Sequence, residues 1–290
     1  MEAHSTFRRA NGREVRFFHY GDPEGEPVLF CHGWPGSGLQ GSFADLSARA
    51  RGFRIASPDR PGIGGSDYAP GRVVADWPEL VEELAAELGW KEFRALAISG
   101  GCPYALAAAA ALPERVRAVA IGCGAAEPEL VLDPAIAFPV YLALATLYRK
   151  WPALLGLGFR LARLYTKAVP ASAALLPTVP FLPPPDRRAV LAKRNRLVMG
   201  RSVAEAFRQP IRGILRDATR YLEPWKTPFE GVRCPVRFWH GDLDRNIPIQ
   251  ATRTTAAKVP GAAFDTVPGE GHYSLPLERM DLIVDGLRAL

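Results

Sequence analysis

The first residue in the setting of a nucleophile is Ser99, within LAISGGCPYALA (Leu96 to Ala107). An apolar run precedes it and an Ala-rich run follows, so it falls on a strand-to-helix turn. A turn this tight tolerates only small neighbours two positions away. Gly101 is the downstream neighbour; Ala97, one methyl larger than glycine, stands upstream. The plain alternative is a serine that caps a helix. A second candidate, CHGWPGSG (Cys31 to Gly38), directly follows the apolar run PVLFC. Its glycines let the backbone fold toward a substrate oxygen, with the N–H groups of Trp34 and Gly100 as the natural pair of oxyanion donors. His32 is expected to brace its own loop, and Pro35 permits a cis bond without requiring one.

Two further loops complete the set. FWHGDLDRNIP (Phe238 to Pro248) offers the carboxylates of Asp242 and Asp244 at a strand end, and PGEGHYSL (Pro268 to Leu275) offers His272 beside Gly271. A serine, a histidine and a buried acid that fixes the histidine tautomer form an acyl-transfer triad. The order Ser, Asp, His along the chain is that of an α/β-hydrolase and differs from chymotrypsin and subtilisin.

On these motifs the chain resembles the α/β-hydrolase fold superfamily over essentially its whole length outside a central insertion. SPDRPGIGGSD (Ser57 to Asp67) is similar to the superfamily's D-R-x-G-x-G-x-S loop, and Gly241, Asp244 and Pro248 match its G-x-x-D-x-x-x-P spacing. The resemblance makes Asp244 the expected acid, with Asp242 as fallback. It implies catalysis by Ser99, Asp244 and His272, with Trp34 and Gly100 at the substrate oxygen. Asp59 and Arg60 read as a loop-bracing pair beneath the site. Epoxide hydrolases and haloalkane dehalogenases carry a similar HG-x-P loop but an aspartate nucleophile, so Ser99 disfavours their reactions. The expected function is hydrolysis of a carboxylic ester of a small molecule through an acyl-enzyme. The same triad could serve C–C bond or lactone hydrolysis or perhydrolysis, and a non-catalytic binding protein of this fold is the rival outside enzymes. The GIGG of Gly62 to Gly65 lacks dinucleotide-loop spacing and no metal-ligand cluster is visible, so neither cofactor nor metal is expected.

These residues need strands to carry them. Apolar runs predict strands at Arg13–Tyr20, Pro27–Cys31, Phe53–Ser57, Phe93–Ile98, Val116–Ile121, Pro235–His240 and Ala262–Val267. Helices are predicted at Asp76–Leu88, Gly101–Leu112, Ala251–Lys258 and Leu277–Leu290. The alternation predicts an α/β fold, a mostly parallel sheet with helices on both faces. The pattern turns helical in the middle, which predicts a core of residues 1–126 and 231–290 and a helical lid over 127–230. Within the lid, Phe138, Tyr141, Leu142, Leu147, Trp151, Leu154, Leu155 and Phe159 are expected to pack it onto the core, some of them lining an acyl pocket.

Composition sets the outer limits. In 290 residues, 48 % hydrophobic and 23 % charged content excludes a disordered chain, a collagen-like repeat and a coiled coil. The net charge of +6 is uneven: residues 127–230 carry 16 Lys+Arg and 8 Asp+Glu, and the rest is slightly acidic. Arg208, Arg212, Arg216 and Arg220, at helical spacing, read as a solvated face, so no nucleic-acid partner is expected. An anionic substrate drawn by lid cations is the sharper alternative. The stretch Pro134 to Leu147 is too short to span a bilayer, so no membrane partner is expected. The four scattered cysteines read as buried free thiols, and the polar start of the chain lacks a signal-peptide pattern, so a cytoplasmic location is expected. The oligomeric state is left open.

Overall fold

Eight strands form one sheet in the order β1-β2-β4-β3-β5-β6-β7-β8. They are β1 His4–Arg8, β2 Glu14–Gly21, β3 Glu26–Cys31, β4 Phe53–Pro58, β5 Phe93–Ile98, β6 Val116–Gly122, β7 Val236–Gly241 and β8 Ala263–Val267. The computed structural model describes residues 3–135 and 139–290, so Phe138 lies outside the described residues. β3 to β8 pair in parallel, whereas β1 and β2 form an antiparallel edge against β4. The central strands read as near-continuous apolar runs because helices cover both faces. One face packs on Trp77–Glu87 and Cys102–Ala111, the other on Asp45–Ala50 and Met280–Ala289.

The seven predicted strands are present within a residue or so at each end. β1 escaped prediction because only Phe7 of its five residues is buried, which leaves no alternation to read. The short helix Asp45–Ala50 buries only Ala48 and was equally silent. The predicted closing helix is two, Ser274–Glu278 and Met280–Ala289, broken at Arg279.

Between β6 and β7 the described residues contain helices and no strand. This segment forms its own apolar cluster around Leu155, Phe159, Met199, Val203 and Ile214, seated on Ile63 of the core. Of the apolar residues singled out in it, Leu155 and Phe159 are buried, while Trp151 and Leu154 face solvent. The arginine row is a solvated face only in part: Arg208 and Arg212 are exposed, whereas Arg216 is half-buried and Arg220 buried. Arg220 is buried against Glu223, Arg216 donates to the carbonyls of Gly71 and Arg72, and Arg212 lies over the Tyr68 ring. Helical spacing says which residues share a face, not what that face meets.

Candidate active site

The four loops that carry the candidate chemistry leave the C-terminal ends of β3, β5, β7 and β8. β3 and β5 are neighbours, with Cys31 beside Ala97, and the chain order reverses at this point. In an open parallel sheet such a switch point forms a crevice.

Ser99 sits at the end of β5 with φ of 49°, one of three described non-glycine residues in the left-handed region. That conformation costs roughly 1–2 kcal/mol for an L-residue and persists only when its surroundings enforce it. The enforcement is close packing. A Cβ on Gly101 would stand 1.9 Å from the Cys31 carbonyl oxygen, and one on Gly100 would stand 2.6 Å from the Tyr221 hydroxyl. At Gly101 the obstacle is backbone and only glycine fits; at Gly100 a larger residue would have to push the Tyr221 side chain aside.

His272 and Asp244 meet Ser99 in a line. His272 Nε2 is 2.9 Å from Ser99 Oγ, and His272 Nδ1 is 2.8 Å from Asp244 Oδ2. Asp244 also accepts the N–H groups of Asn246 and Ile247, both at 2.8 Å. Burial opposes its charge, yet His272 and His240 outweigh it and hold this carboxyl well below the usual range. Burial likewise opposes an imidazolium at His272, but the carboxylates of Asp244 and Asp186 overcome it and raise its pKa. Asp242 is on the other side of its turn, where it accepts the Gly269 N–H.

The loop after β3 is fixed from behind. His32 Nδ1 donates to the Gly33 carbonyl at 2.9 Å, and its Nε2 accepts the Arg60 N–H. Arg60 reaches the carbonyls of His32 and Gly33 as well. In a trans peptide the N–H points opposite to the C=O, so the Trp34 N–H points away from the His32 and Arg60 side chains that bind the Gly33 carbonyl. Trp34 N lies 3.1 Å from where a Gly100 Cβ would stand. The Ser99 carbonyl is held in the same way by the Ala125 N–H at 2.9 Å, behind the Gly100 N–H. The Trp34–Pro35 bond is cis.

Asp59 and Arg60 do brace loops, but not as a pair with each other. Asp59 binds Arg16 and the N–H groups of Gly38 and Gly65, while Arg60 binds Asp217 of the helix Arg212–Thr219. Three contributors from the helical segment went unseen in the sequence. Asp217 joins Arg60 to Arg72, Tyr221 donates from its hydroxyl to the Gly100 carbonyl at 2.8 Å, and Asp186 accepts the N–H groups of His272, Tyr273 and Ser274. Each acts across more than 80 residues, so no local pattern marks it.

Two cavities flank Ser99. One of ≈ 670 Å³ is lined by Trp34, Gly100, Val131, Leu155, Phe159 and Tyr221 among others; the second, ≈ 460 Å³, includes Phe43, Leu175, Met199 and His272. No Lys, Arg, Asp or Glu among the described residues lines either one. Among the described residues, one group of three possible metal ligands occurs, Cys123, Asp244 and His272. The Asp244–His272 hydrogen bond already accounts for that proximity.

A mostly parallel sheet with its polar chemistry along one edge defines a hydrolase of the α/β class. The chain belongs to the alpha/beta hydrolase fold family, whose model matches residues 26–278. It is 30 % identical over 142 residues to the juvenile hormone epoxide hydrolase of Bombyx mori, a match that covers 41 % of this chain and 31 % of that protein's length. In fold it is similar to a bromoperoxidase from Bacillus anthracis, with a TM-score of 0.73, 18 % identity and 98 % of each chain covered. A thermophilic esterase from Thermogutta terrifontis superposes with a TM-score of 0.68 and 20 % identity over 100 % of this chain and 97 % of that one. No described helix is long and apolar enough to cross a membrane.

Proposed function

We propose that this protein is a serine hydrolase that cleaves neutral carboxylic esters of small molecules through an acyl-enzyme. The observation that carries the reading is the hydrogen-bonded line Ser99–His272–Asp244, with the serine on a left-handed turn between two uncharged cavities. Ser99 Oγ attacks the carbonyl carbon as His272 takes its proton, and Asp244 holds the imidazole tautomer and stabilises its cation. The N–H groups of Trp34 and Gly100 receive the oxyanion, each donor typically worth about 2.7–4 kcal/mol. His272 then protonates the leaving alcohol and activates water. It borders only the second cavity, and Gly100 only the first. The leaving group therefore goes to the second cavity and the acyl chain to the first. Residues 127–230 act as the lid that supplies most of the acyl-pocket wall, over a core of residues 1–126 and 231–290.

Ser99 also argues against epoxide opening. A serine oxygen that opened an epoxide would form an alkyl ether, which offers water no carbonyl to attack. A carboxylate nucleophile would form an ester that water can cleave.

A fluorophosphonate probe tests the nucleophile: it should label the protein once, on Ser99. A neutral acyl p-nitrophenyl ester should exceed its ω-carboxylated analogue in kcat/KM by at least about tenfold, because a carboxylate in an uncharged cavity loses hydration without a partner. Failure to label, or preference for the anionic ester, would refute the reading.

The pH profile carries a further expectation. His272 must be neutral to accept the proton, so kcat/KM should fall as pH drops through its pKa. Because that pKa is raised, the midpoint should lie above the ordinary 6.5. Asp244→Asn removes the anion that raises it, so the midpoint should move down while kcat falls by about 10⁴-fold. A wild-type midpoint below 6.5, or one that the variant leaves in place, would contradict this account.

A further inference from the structure

The helix Pro152–Ala168 has two apolar faces, and the fold uses one. Leu155 and Phe159 turn inward and line the larger cavity beside Ser99. Leu154, Leu157, Leu161 and Leu164 lie on the opposite side, 47–60 % exposed. Their spacing of three, four and three residues aligns them in a single stripe. Trp151, 57 % exposed, stands just before the helix. A contiguous row of large apolar side chains in water marks a contact surface, where scattered ones would not.

Charge identifies the occupant. The stretch from Arg149 to Lys167 holds five cations and no acid. Arg163 donates to the Gln209 carbonyl, whereas Arg149, Lys150, Arg160 and Lys167 are exposed and form no ion pair among the described residues. Arg160 and Lys167 each lie three residues beyond a stripe leucine, on its flank. A second copy docked about a two-fold axis would set this acid-free segment against itself, cation facing cation. An anionic lipid surface complements both features. Leucines enter the boundary between headgroups and acyl chains, and flanking Arg and Lys meet the phosphates while their stems lie along the apolar zone.

We propose that the outer face of the Pro152–Ala168 helix is a docking face for an anionic lipid surface, which it meets peripherally. The expectation of no membrane partner rests on span length alone, a test that does not bear on peripheral docking, and helical spacing does not divide the leucines between an inner and an outer face. The helix that docks with its outer face also walls the larger cavity with its inner one, through Leu155 and Phe159.

The test is co-sedimentation of the full chain with vesicles, independent of catalysis. Vesicles rich in phosphatidylglycerol should retain at least about tenfold more protein than pure phosphatidylcholine, with the difference lost at high salt. L157S/L161S/L164S should abolish retention with an unchanged melting temperature, since the three side chains are already exposed. R160E/K167E should weaken retention and flatten its salt dependence. The proposal is overturned if wild type ignores phosphatidylglycerol vesicles or if the triple variant binds undiminished. It is also overturned if sedimentation velocity finds a wild-type dimer that the triple variant splits, because the stripe would then serve self-association.

Discussion

Replacing Ser99 with alanine is expected to lower kcat for a neutral short-chain ester by about 10⁴-fold or more without lowering the melting temperature. The two halves of this expectation have one structural origin. In the proposed mechanism the hydroxyl attacks, with His272 and Asp244 hydrogen-bonded in line behind it, so removing it leaves only the proposed oxyanion donors to act on bound substrate. The backbone beneath it is strained, with φ of 49° at a residue that carries a Cβ. Alanine keeps that strain and loses only the hydrogen bond to His272. Glycine relieves it, so Ser99→Gly should be at least as stable as wild type and equally inactive. Turnover and thermal unfolding measured on the three proteins check both halves. Ester hydrolysis that survives Ser99→Ala would place the nucleophile elsewhere. A marked fall in melting temperature in Ser99→Gly would mean that the turn is held by the serine side chain, not imposed on it by the packing at Gly100 and Gly101.

Residues that announce themselves in the sequence do so through local backbone demands. Ser99, Trp34 and His272 each lie beside glycines on a loop that leaves an apolar strand, and that combination can be read from a dozen residues. Asp244 needed more, since Asp242 offers the same group two positions away. The spacing to Gly241 and Pro248 separated them, and the turn explains why: Asp244 accepts the N–H groups of Asn246 and Ile247 and faces His272, while Asp242 is turned to Gly269. Asp186, Asp217 and Tyr221 gave no such signal. Each lies in an ordinary helical stretch, and its meaning comes from a partner brought near only by the packed fold. Arg60 is the instructive intermediate. Its motif marked it and Asp59 as braces, and both hold loop backbone, but each through partners of its own. Side chains of successive residues diverge, and these two serve different loops.

The largest effect on stability is expected at Asp217. Its carboxylate is fully buried and meets Arg60 at 2.8 Å, together with Arg72 and, at 3.2 Å, the Tyr104 hydroxyl. Burial alone would raise its pKa, but the two guanidinium groups outweigh that and hold it far below the ordinary carboxylate value. Asp217→Ala leaves two buried cations facing each other without an anion, a defect that typically costs about 3–5 kcal/mol. In a chain of this size that corresponds to a fall in melting temperature of roughly 5–8 °C. Because the folded pKa is depressed, this stabilisation is present above the unfolded value and drains away as pH falls toward the folded one. The gap between wild type and variant should therefore narrow in acid. Function should suffer in a particular way. Arg60 holds the Gly33 carbonyl, so a guanidinium released from Asp217 loosens the peptide that carries the Trp34 N–H. In the proposed mechanism that donor acts on the oxyanion, so protein that remains folded should lose kcat more than it gains in KM. Asp217→Asn keeps a hydrogen-bond acceptor but not the charge, and should fall between wild type and alanine on both measures. A melting temperature within a degree or two of wild type for the alanine variant would show that the helical segment is held to the sheet domain chiefly by the apolar seat around Ile63 and Ile214. A stability loss with kcat unchanged would separate Arg60 from the oxyanion site.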